Sequence, residues 1–400
     1  MANASRGRMA AGARPCPIVA EAHGSAGVPN ATSLSSDSGS SGRDASPRSE
    51  VERRFAMKRR TFLKLSVGLG AATPGLVTLV PRASGQVNTV LGPIDARRLG
   101  HTLMHEHVMV DFIGADRIAP GRYDADEVFR TALPYLRELK AAGCETLVEC
   151  TPAYLGRDPG LLRRFSESSG LHIITNTGLY GAAEDKYVPR FAYAETAQQL
   201  SARWVREFRD GIPPTGIRPG FIKIGVDNGP LSQIDGKLVD AAALTHLKSG
   251  LIIASHTTDG TAAMAEIERL QRHGVNPSAF IWVHAQTEKD THFHDRAAEA
   301  GAWLEFDGIS PDSVQQHIEL IRRMKTAERL RQVLISQDAG WYHVGESGGG
   351  TFRPYAFLFT QFLPALRGAG VSEAAIQTLL VDNPRRALTP VSTGSAGVMF

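Results

Sequence analysis

Short apolar runs recur along the chain beyond residue 86, at 102–108, 146–150, 172–177, 220–226, 251–256, 280–284, 302–307 and 333–337. Runs this short, separated by longer mixed segments, predict buried strands. Between them, apolar positions repeat at helical spacing over 126–142, 195–209, 237–248, 261–272 and 311–331. Gly143, Gly211, Gly250, Gly274 and Gly301 stand where helices would end, as C-terminal caps do. Strict alternation of strand and helix implies parallel pairing with right-handed crossovers, and eight such units can close an α/β barrel of the (β/α)8, or TIM, type in a single domain. An open doubly wound sheet is the alternative, but no glycine-rich phosphate fingerprint follows the first strand. The tail, 354–388, reads as a last helix, a break at Gly368-Ala369-Gly370 and a closing amphipathic helix that stops before Asn383-Pro384.

The barrel is expected over 86–390, with a flexible tail at 391–400. Residues 1–56 are dominated by Ala, Ser, Gly and Arg without strand or helix periodicity, so disorder is expected there. Met57-Lys58-Arg59-Arg60-Thr61-Phe62-Leu63-Lys64 then precedes a short apolar stretch and Pro81-Arg82-Ala83-Ser84-Gly85. This segment, 57–85, resembles a twin-arginine export signal, which implies a periplasmic or extracellular protein that folds before export. It also suggests that translation starts at Met57. Gly68, Gly70, Pro74 and Gly75 interrupt the stretch, which is short for a transmembrane helix, so no stable membrane span is expected after processing.

A net charge of +3, from 44 basic and 41 acidic residues, leaves no strong field for nucleic acid or anionic lipid. Three cysteines cannot build a disulfide framework. Cys16 precedes the expected signal, and Cys144 and Cys150 read as buried apolar residues.

The residues that carry chemistry sit at strand ends. In His105-Glu106-His107, the two-residue period of a strand puts both imidazoles on one face and Glu106 on the other. Such a pair can share a metal ion, although paired histidines are often simply hydrogen-bonded. Lys223 sits inside the apolar strand Gly220-Phe221-Ile222-Lys223-Ile224-Gly225-Val226, where an unpaired ammonium would cost several kcal/mol, of the order of its desolvation penalty. It needs either a carboxylate partner or a neutral, chemically available amine. His256 ends the fifth strand, His284 the sixth, and Asp338 follows the eighth. In a barrel, the C-terminal strand ends face one common mouth, so these donors and Lys223 would meet there.

With those residues in place, the sequence resembles the phosphotriesterase family of the amidohydrolase superfamily. The likeness runs from Val87-Asn88-Thr89-Val90-Leu91-Gly92-Pro93-Ile94 through Thr102-Leu103-Met104-His105-Glu106-His107 and Gly220-Phe221-Ile222-Lys223 to Ser336-Gln337-Asp338. The resemblance implies a barrel with two divalent metal ions, usually Zn2+, bridged by a hydroxide and by N6-carboxylysine at Lys223. His105, His107 and Asp338 would hold the more buried ion, and His256 and His284 the more exposed one. The hydroxide is the implied nucleophile and Asp338 the acceptor of its proton. Tyr180 matches a position where lactonase-like members carry a tyrosine at the metal site. The loop after the eighth strand, 339–353, bears Trp341, Tyr342 and His343 as a mobile segment over the mouth, with Trp341 facing substrate and His343 a surface residue. His101 and His172 fall at the other end of the barrel and read as structural. Two departures stand out: Ala285-Gln286-Thr287 follows His284 with Glu288 one step late, where relatives carry acids that relay protons, and Asp307 precedes Gly308 where lactonase-like relatives often carry arginine.

The reading is therefore a metal-dependent hydrolase whose partners are small-molecule lactones or carboxylic esters, with organophosphate triesters as a side activity, and the family implies a homodimer. A mononuclear deaminase or amidohydrolase is the enzymatic alternative, and Lys223 argues against it. An exported, non-catalytic binding barrel is the other, and it would be expected to have lost at least one ligand.

Overall fold

The computed structural model describes residues 85–391. The expected low-complexity extension, export signal and C-terminal tail lie outside the described residues, save Gly85 and Val391 at their edges. The described chain opens with an antiparallel hairpin, β1 (Gln86–Thr89) and β2 (Gly92–Asp95). Ten further strands follow: β3 (Thr102–Val110), β4 (Thr146–Glu149), β5 (His172–Ile174), β6 (Asn176–Thr177), β7 (Phe221–Gly225), β8 (Ile253–His256), β9 (Phe280–Val283), β10 (Trp303–Phe306), β11 (Val333–Ile335) and β12 (Gly340–His343).

All pairings among β3 to β12 are parallel, in the orders β12-β3-β4-β5 and β6-β7-β8-β9-β10-β11. β5 and β6 are halves of one strand interrupted at Thr175, and β11 and β12 are consecutive parts of the last. The ring closes where Asp338 N donates to His105 O at 3.1 Å and His107 N donates to Ala339 O at 2.9 Å. The result is the eight-stranded α/β barrel that the alternating pattern predicts.

Alternation along each strand divides two cores. Phe221, Ala254, Ile281, Val283, Trp303 and Leu334 fill the barrel interior, closed at its lower end by Val87 and Ala96 around the hairpin and by Leu388 of the tail. Ile222, Ile253, Trp282, Leu304 and Ile335 point outward under the helices. A register shift between Leu103 and Glu106 lets two successive residues, Met104 and His105, both face inward.

Helices at Ala125–Ala141, Ala197–Asp210, Gln233–Ser249 and Gly260–Arg272 form where the sequence places them, each N-capped by the side chain of Asp124, Thr196, Ser232 or Asp259. Two more, Pro159–Ser169 and Thr291–Ala300, were not drawn out by periodicity. The second buries only His294, Ala297 and Ala298, too faint a stripe to register. The first was legible in another way, from an Asp158 cap followed by proline at the first helical position. The segment expected as a helix over 311–331 is helical only from Val314 to Thr326 and ends in a 3-10 turn, Leu330–Gln332. The closing helix does not stop before Asn383-Pro384: it passes through a π-turn, Thr378–Asp382, and continues over Asn383–Leu388. Pro384 falls in the first turn of that last segment, directly after the widened π-turn, where a proline is best tolerated. Cys144 and Cys150 are buried, free thiols. No helix among the described residues is long and apolar enough to cross a membrane.

Candidate metal centre

Eight of the residues singled out by sequence line one cavity at the C-terminal end of the barrel: His105, His107, Tyr180, Lys223, His256, His284, Asp338 and Trp341. Cys150, Pro152 and Leu155 complete the wall, and the free volume is about 10 Å3, room for a single water.

His105 and His107 come from the same face of β3, and their Nε2 atoms lie 3.1 Å apart. Asp338 Oδ1 is 3.2 Å from His107 Nε2 and 3.7 Å from His105 Nε2. Ligands at the zinc–nitrogen and zinc–oxygen lengths of about 2.0–2.1 Å span tetrahedral edges of about 3.3 Å, so these three atoms have the spacing of a metal tripod. The far side of each ring is also occupied. His107 Nδ1 lies 2.8 Å from the Thr151 hydroxyl, which donates onward to Met109 O at 3.2 Å and so must accept from the ring. Asp307 takes His284 Nδ1 on Oδ1 at 2.8 Å and faces His105 Nδ1 with Oδ2 at 3.0 Å. With Nδ1 turned toward these oxygens, Nε2 of each ring faces the cavity, the orientation a metal-binding histidine needs. Asp338 Oδ1 is buried with no hydrogen bond among the described residues, an orphan that a cation would satisfy. The donor set therefore fits a divalent ion.

His105, His284 and Asp307 are also close enough to hold an ion. Their mutual distances on the Nδ1 side are those of hydrogen bonds, however, and Gln286 Nε2 also donates to Asp307 Oδ1 at 2.8 Å. Asp307 is a clamp behind the histidines.

Lys223 shares the interior face of β7 with Phe221 and is only 2% exposed. Its Nζ donates to the Ile224 carbonyl at 3.2 Å, and burial lowers its pKa. The His256 ring lies edge-on to His284 at 4.4 Å and to Tyr180 at 5.1 Å between centroids. Gly225 makes room for this contact: a Cβ there would lie 2.8 Å from the Tyr180 ring and 3.2 Å from His256 Cβ. The Trp341 ring covers His107 at 4.4 Å, and its Nε1 donates to Asp338 O at 2.7 Å.

Burial and charge compete throughout. Burial alone would lower the His105 pKa, but Asp307, Glu305 and Asp338 raise it to about 10. His107 is pushed down to about 4 by burial, against the pull of Asp338. Burial raises Asp307, yet His284 and His105 outweigh it and hold the carboxylate well below its ordinary range. Asp338 is likewise held low, by His107, His105 and His284 against burial. Both carboxylates are thus anions at neutral pH.

The sequence reading gave Glu305 no place and named Asp307 only as the residue before Gly308. Glu305 and Asp307 alternate on the end of β10 just as His105 and His107 do on β3, so the same two-residue rule could have found them. Glu305 Oε2 lies 3.8 Å from His105 Nδ1. Glu106 turns away from the histidines, as expected, and its carboxylate accepts from Ser336 Oγ at 2.8 Å, Gln337 N at 3.0 Å and Ala339 N at 2.7 Å. Glu288 accepts from Gly260 N at 2.7 Å and caps a helix. His343 is not a solvated loop residue: it ends β12, half-buried, with its ring 5.5 Å from Phe112 and 6.2 Å from Trp341. The segment expected to lie mobile over the mouth is pinned at both ends, since Gly340 and Arg353 exchange backbone hydrogen bonds at 2.9 and 2.8 Å and Arg353 NH1 donates to Asp338 O at 2.6 Å.

A parallel barrel that gathers histidines and carboxylates at the C-terminal ends of its strands belongs to the class of metal-dependent hydrolases. The sequence model of the phosphotriesterase family matches residues 85–388, and the chain belongs to that family. It is 30% identical over 317 residues to a phosphotriesterase homology protein of Mycobacterium tuberculosis, covering 75% of this chain and 97% of that one. A phospho-furanose lactonase of Mycoplasmopsis synoviae is 28% identical over 329 residues, 75% of this chain and 90% of the relative. An aryldialkylphosphatase of Saccharolobus solfataricus is 23% identical over 311 residues, 73% and 96% respectively.

Proposed function

We propose that the protein is a binuclear, zinc-dependent hydrolase of lactones or carboxylic esters, with phosphotriester cleavage as a side activity. The observation that carries this reading is the convergence of His105, His107, Lys223, His256, His284 and Asp338 on one cavity, with an orphaned Asp338 oxygen at ligand spacing from two imidazoles. His105, His107 and Asp338 would hold one ion, His256 and His284 a second, and Lys223 would span them as its carbamate. Loss of the ammonium proton frees the amine, and its attack on dissolved carbon dioxide forms one N–C bond and releases a second proton, so that a buried cation becomes a two-oxygen anion and the desolvation penalty of the ammonium is removed. When bound, such ions supply a hydroxide nucleophile at neutral pH and polarise the electrophilic oxygen.

The remaining work falls to the chain. Asp338 is ionised, buried and next to His107, so it is placed to take the nucleophile's proton as the bond to carbon forms. Thr151 and Asp307 keep the imidazole lone pairs aimed inward. Tyr180, Leu155, Pro152 and Trp341 form the apolar wall that shields the reacting centre from water and takes the acyl group. The names of the lactonase and the aryldialkylphosphatase support an ester-like electrophile. The twin-arginine export suggested by Arg59-Arg60 belongs to the same reading.

The test is metal content by elemental analysis on protein beginning near Gln86, with initial rates on a lactone, an aryl ester and an aryl dialkyl phosphate, repeated for Lys223→Ala. Two ions per chain and a rate that collapses in the variant are expected. Fewer than two ions after loading with zinc and bicarbonate would overturn the bridged site.

A further inference from the structure

The loops that follow β3 and β6 line a second, open cavity of about 330 Å3, within the range of small-ligand pockets. Arg117, Lys186, Arg190, Asp116 and Asp185 supply its charges. Two of the three cations differ from the third. Arg190 is spent on Asp116, its Nε and NH2 reaching the two carboxylate oxygens at 3.0 and 3.1 Å, while Asp185 is engaged by the Tyr193 hydroxyl. Arg117 donates only to the Ile113 carbonyl at 3.2 Å, and Lys186 lies over the Tyr187 ring, 5.5 Å from its centroid. Neither makes an ion pair with any of the described residues.

The side chains of Arg117 and Lys186 are exposed, while the backbone that carries them is fixed. Ala115 N donates to Lys186 O at 2.9 Å and ties the two loops together. Just before Lys186, Ala183, Glu184 and Asp185 have φ of 62°, 52° and 59°, three successive left-handed residues with no glycine among them. Such a run is avoided by L-residues and persists only where its surroundings enforce it, most often at functional sites. Here Asp227 enforces it, accepting from Ala183 N at 2.8 Å and Glu184 N at 3.1 Å.

One aromatic cluster links the loops of this cavity to the metal centre. Phe112 and Tyr187, chain neighbours of the lining residues Ile113, Lys186 and Val188, lie 6.3 Å apart, and Phe112 meets Trp341 at 5.6 Å while Tyr187 meets Tyr180 at 5.8 Å. The metal cavity is lined by no arginine and by no lysine but Lys223, and the bridge would consume Lys223 and the ions the histidines, so charge on the far end of a substrate has to be read elsewhere.

We propose that this second cavity is an anion subsite, in which Arg117 and Lys186 take the carboxylate, sulfonate or phosphate at the far end of a substrate whose scissile bond lies at the metal centre. Calling the ligand a substrate rests on the hydrolase reading, whereas the anion site does not.

Calorimetric titration of the metal-loaded protein with sulfate, phosphate and acetate, for wild type and for Arg117→Gln/Lys186→Gln, reads the site directly. The double variant should bind the best of the three at least about tenfold more weakly at unchanged metal content, the loss expected for two charge-assisted contacts. Equal affinity in the two proteins overturns the site. Kinetics on a matched pair of esters, one neutral and one with a distal anion of the preferred type, reads the substrate role. The ratio of kcat/KM, anionic over neutral, should fall at least about tenfold in the variant. An unmoved ratio alongside weakened anion binding overturns the substrate assignment alone. If wild type cleaves neither ester, the hydrolase reading fails while the titration still decides the anion site.

Discussion

Asp307 answers for two imidazoles at once, His105 on one oxygen and His284 on the other. Replacing it with asparagine turns one acceptor into a donor, so one of the two rings loses its Nδ1–H partner and with it the tautomer that aims Nε2 inward. Asp307→Asn is expected to bind zinc about 10–100-fold more weakly, measured by competition with a chromogenic chelator. Unchanged affinity would mean that the clamp does not orient the ligands. The backbone at the site is under tension as well: His284, Asp338 and Trp341 have φ of 64°, 49° and 74°. Left-handed geometry at such residues costs about 1–3 kcal/mol each, and here it turns the His284 and Asp338 side chains and the covering indole toward one cavity.

At the scale of the element, the seam between β3 and the last strand depends on a single carboxylate. Glu106 accepts two backbone N–H groups and one hydroxyl from residues 336–339, so Glu106→Ala strands three donors beside the site. A loss of at least about 3 kcal/mol is expected from urea unfolding, since three buried donors lose their acceptor at once. Behind β8, Glu266 is buried against Thr257 at 2.6 Å, and burial pushes its pKa up to about 8. Its unfolded counterpart ionises near 4.5. Between those values the folded state keeps a proton that the unfolded state has lost, so stability should decline from pH 5 to 8 and level off above. Glu266→Gln should flatten that decline in paired urea titrations at pH 5 and pH 8; parallel slopes in the two proteins would contradict it. The strands and the inward-facing histidines were legible because a two-residue period maps directly onto the two faces of a strand. Asp307 was not, because a carboxylate at a strand end looks the same in sequence whether it binds metal or braces the ligands of other strands. The helix Thr291–Ala300 was hidden by small residues, and the tail's passage through Pro384 by a π-turn that no local pattern announces.

For the whole molecule, the free volume of about 10 Å3 at the metal centre admits a nucleophile but no ester, while its neighbour offers about 330 Å3. Binding of ions to the folded state alone should stabilise the whole barrel: chelation is expected to lower Tm by about 5–10 °C, with recovery on adding zinc and bicarbonate, for a linkage of about 3 kcal/mol. A Tm indifferent to chelation would place the ions outside the buried cage. The closure of the ring also sets a clock. His105 and the residues that pin it to the last strand lie 231 positions apart in the chain. At about 5–20 residues per second, a ribosome needs about 10–45 s to travel from one to the other. Throughout that interval the first two histidines exist without their aspartate. The last of the site's side chains arrive with the eighth strand, and a product truncated before it would carry the four histidines and Lys223 without Asp338 or a closed ring.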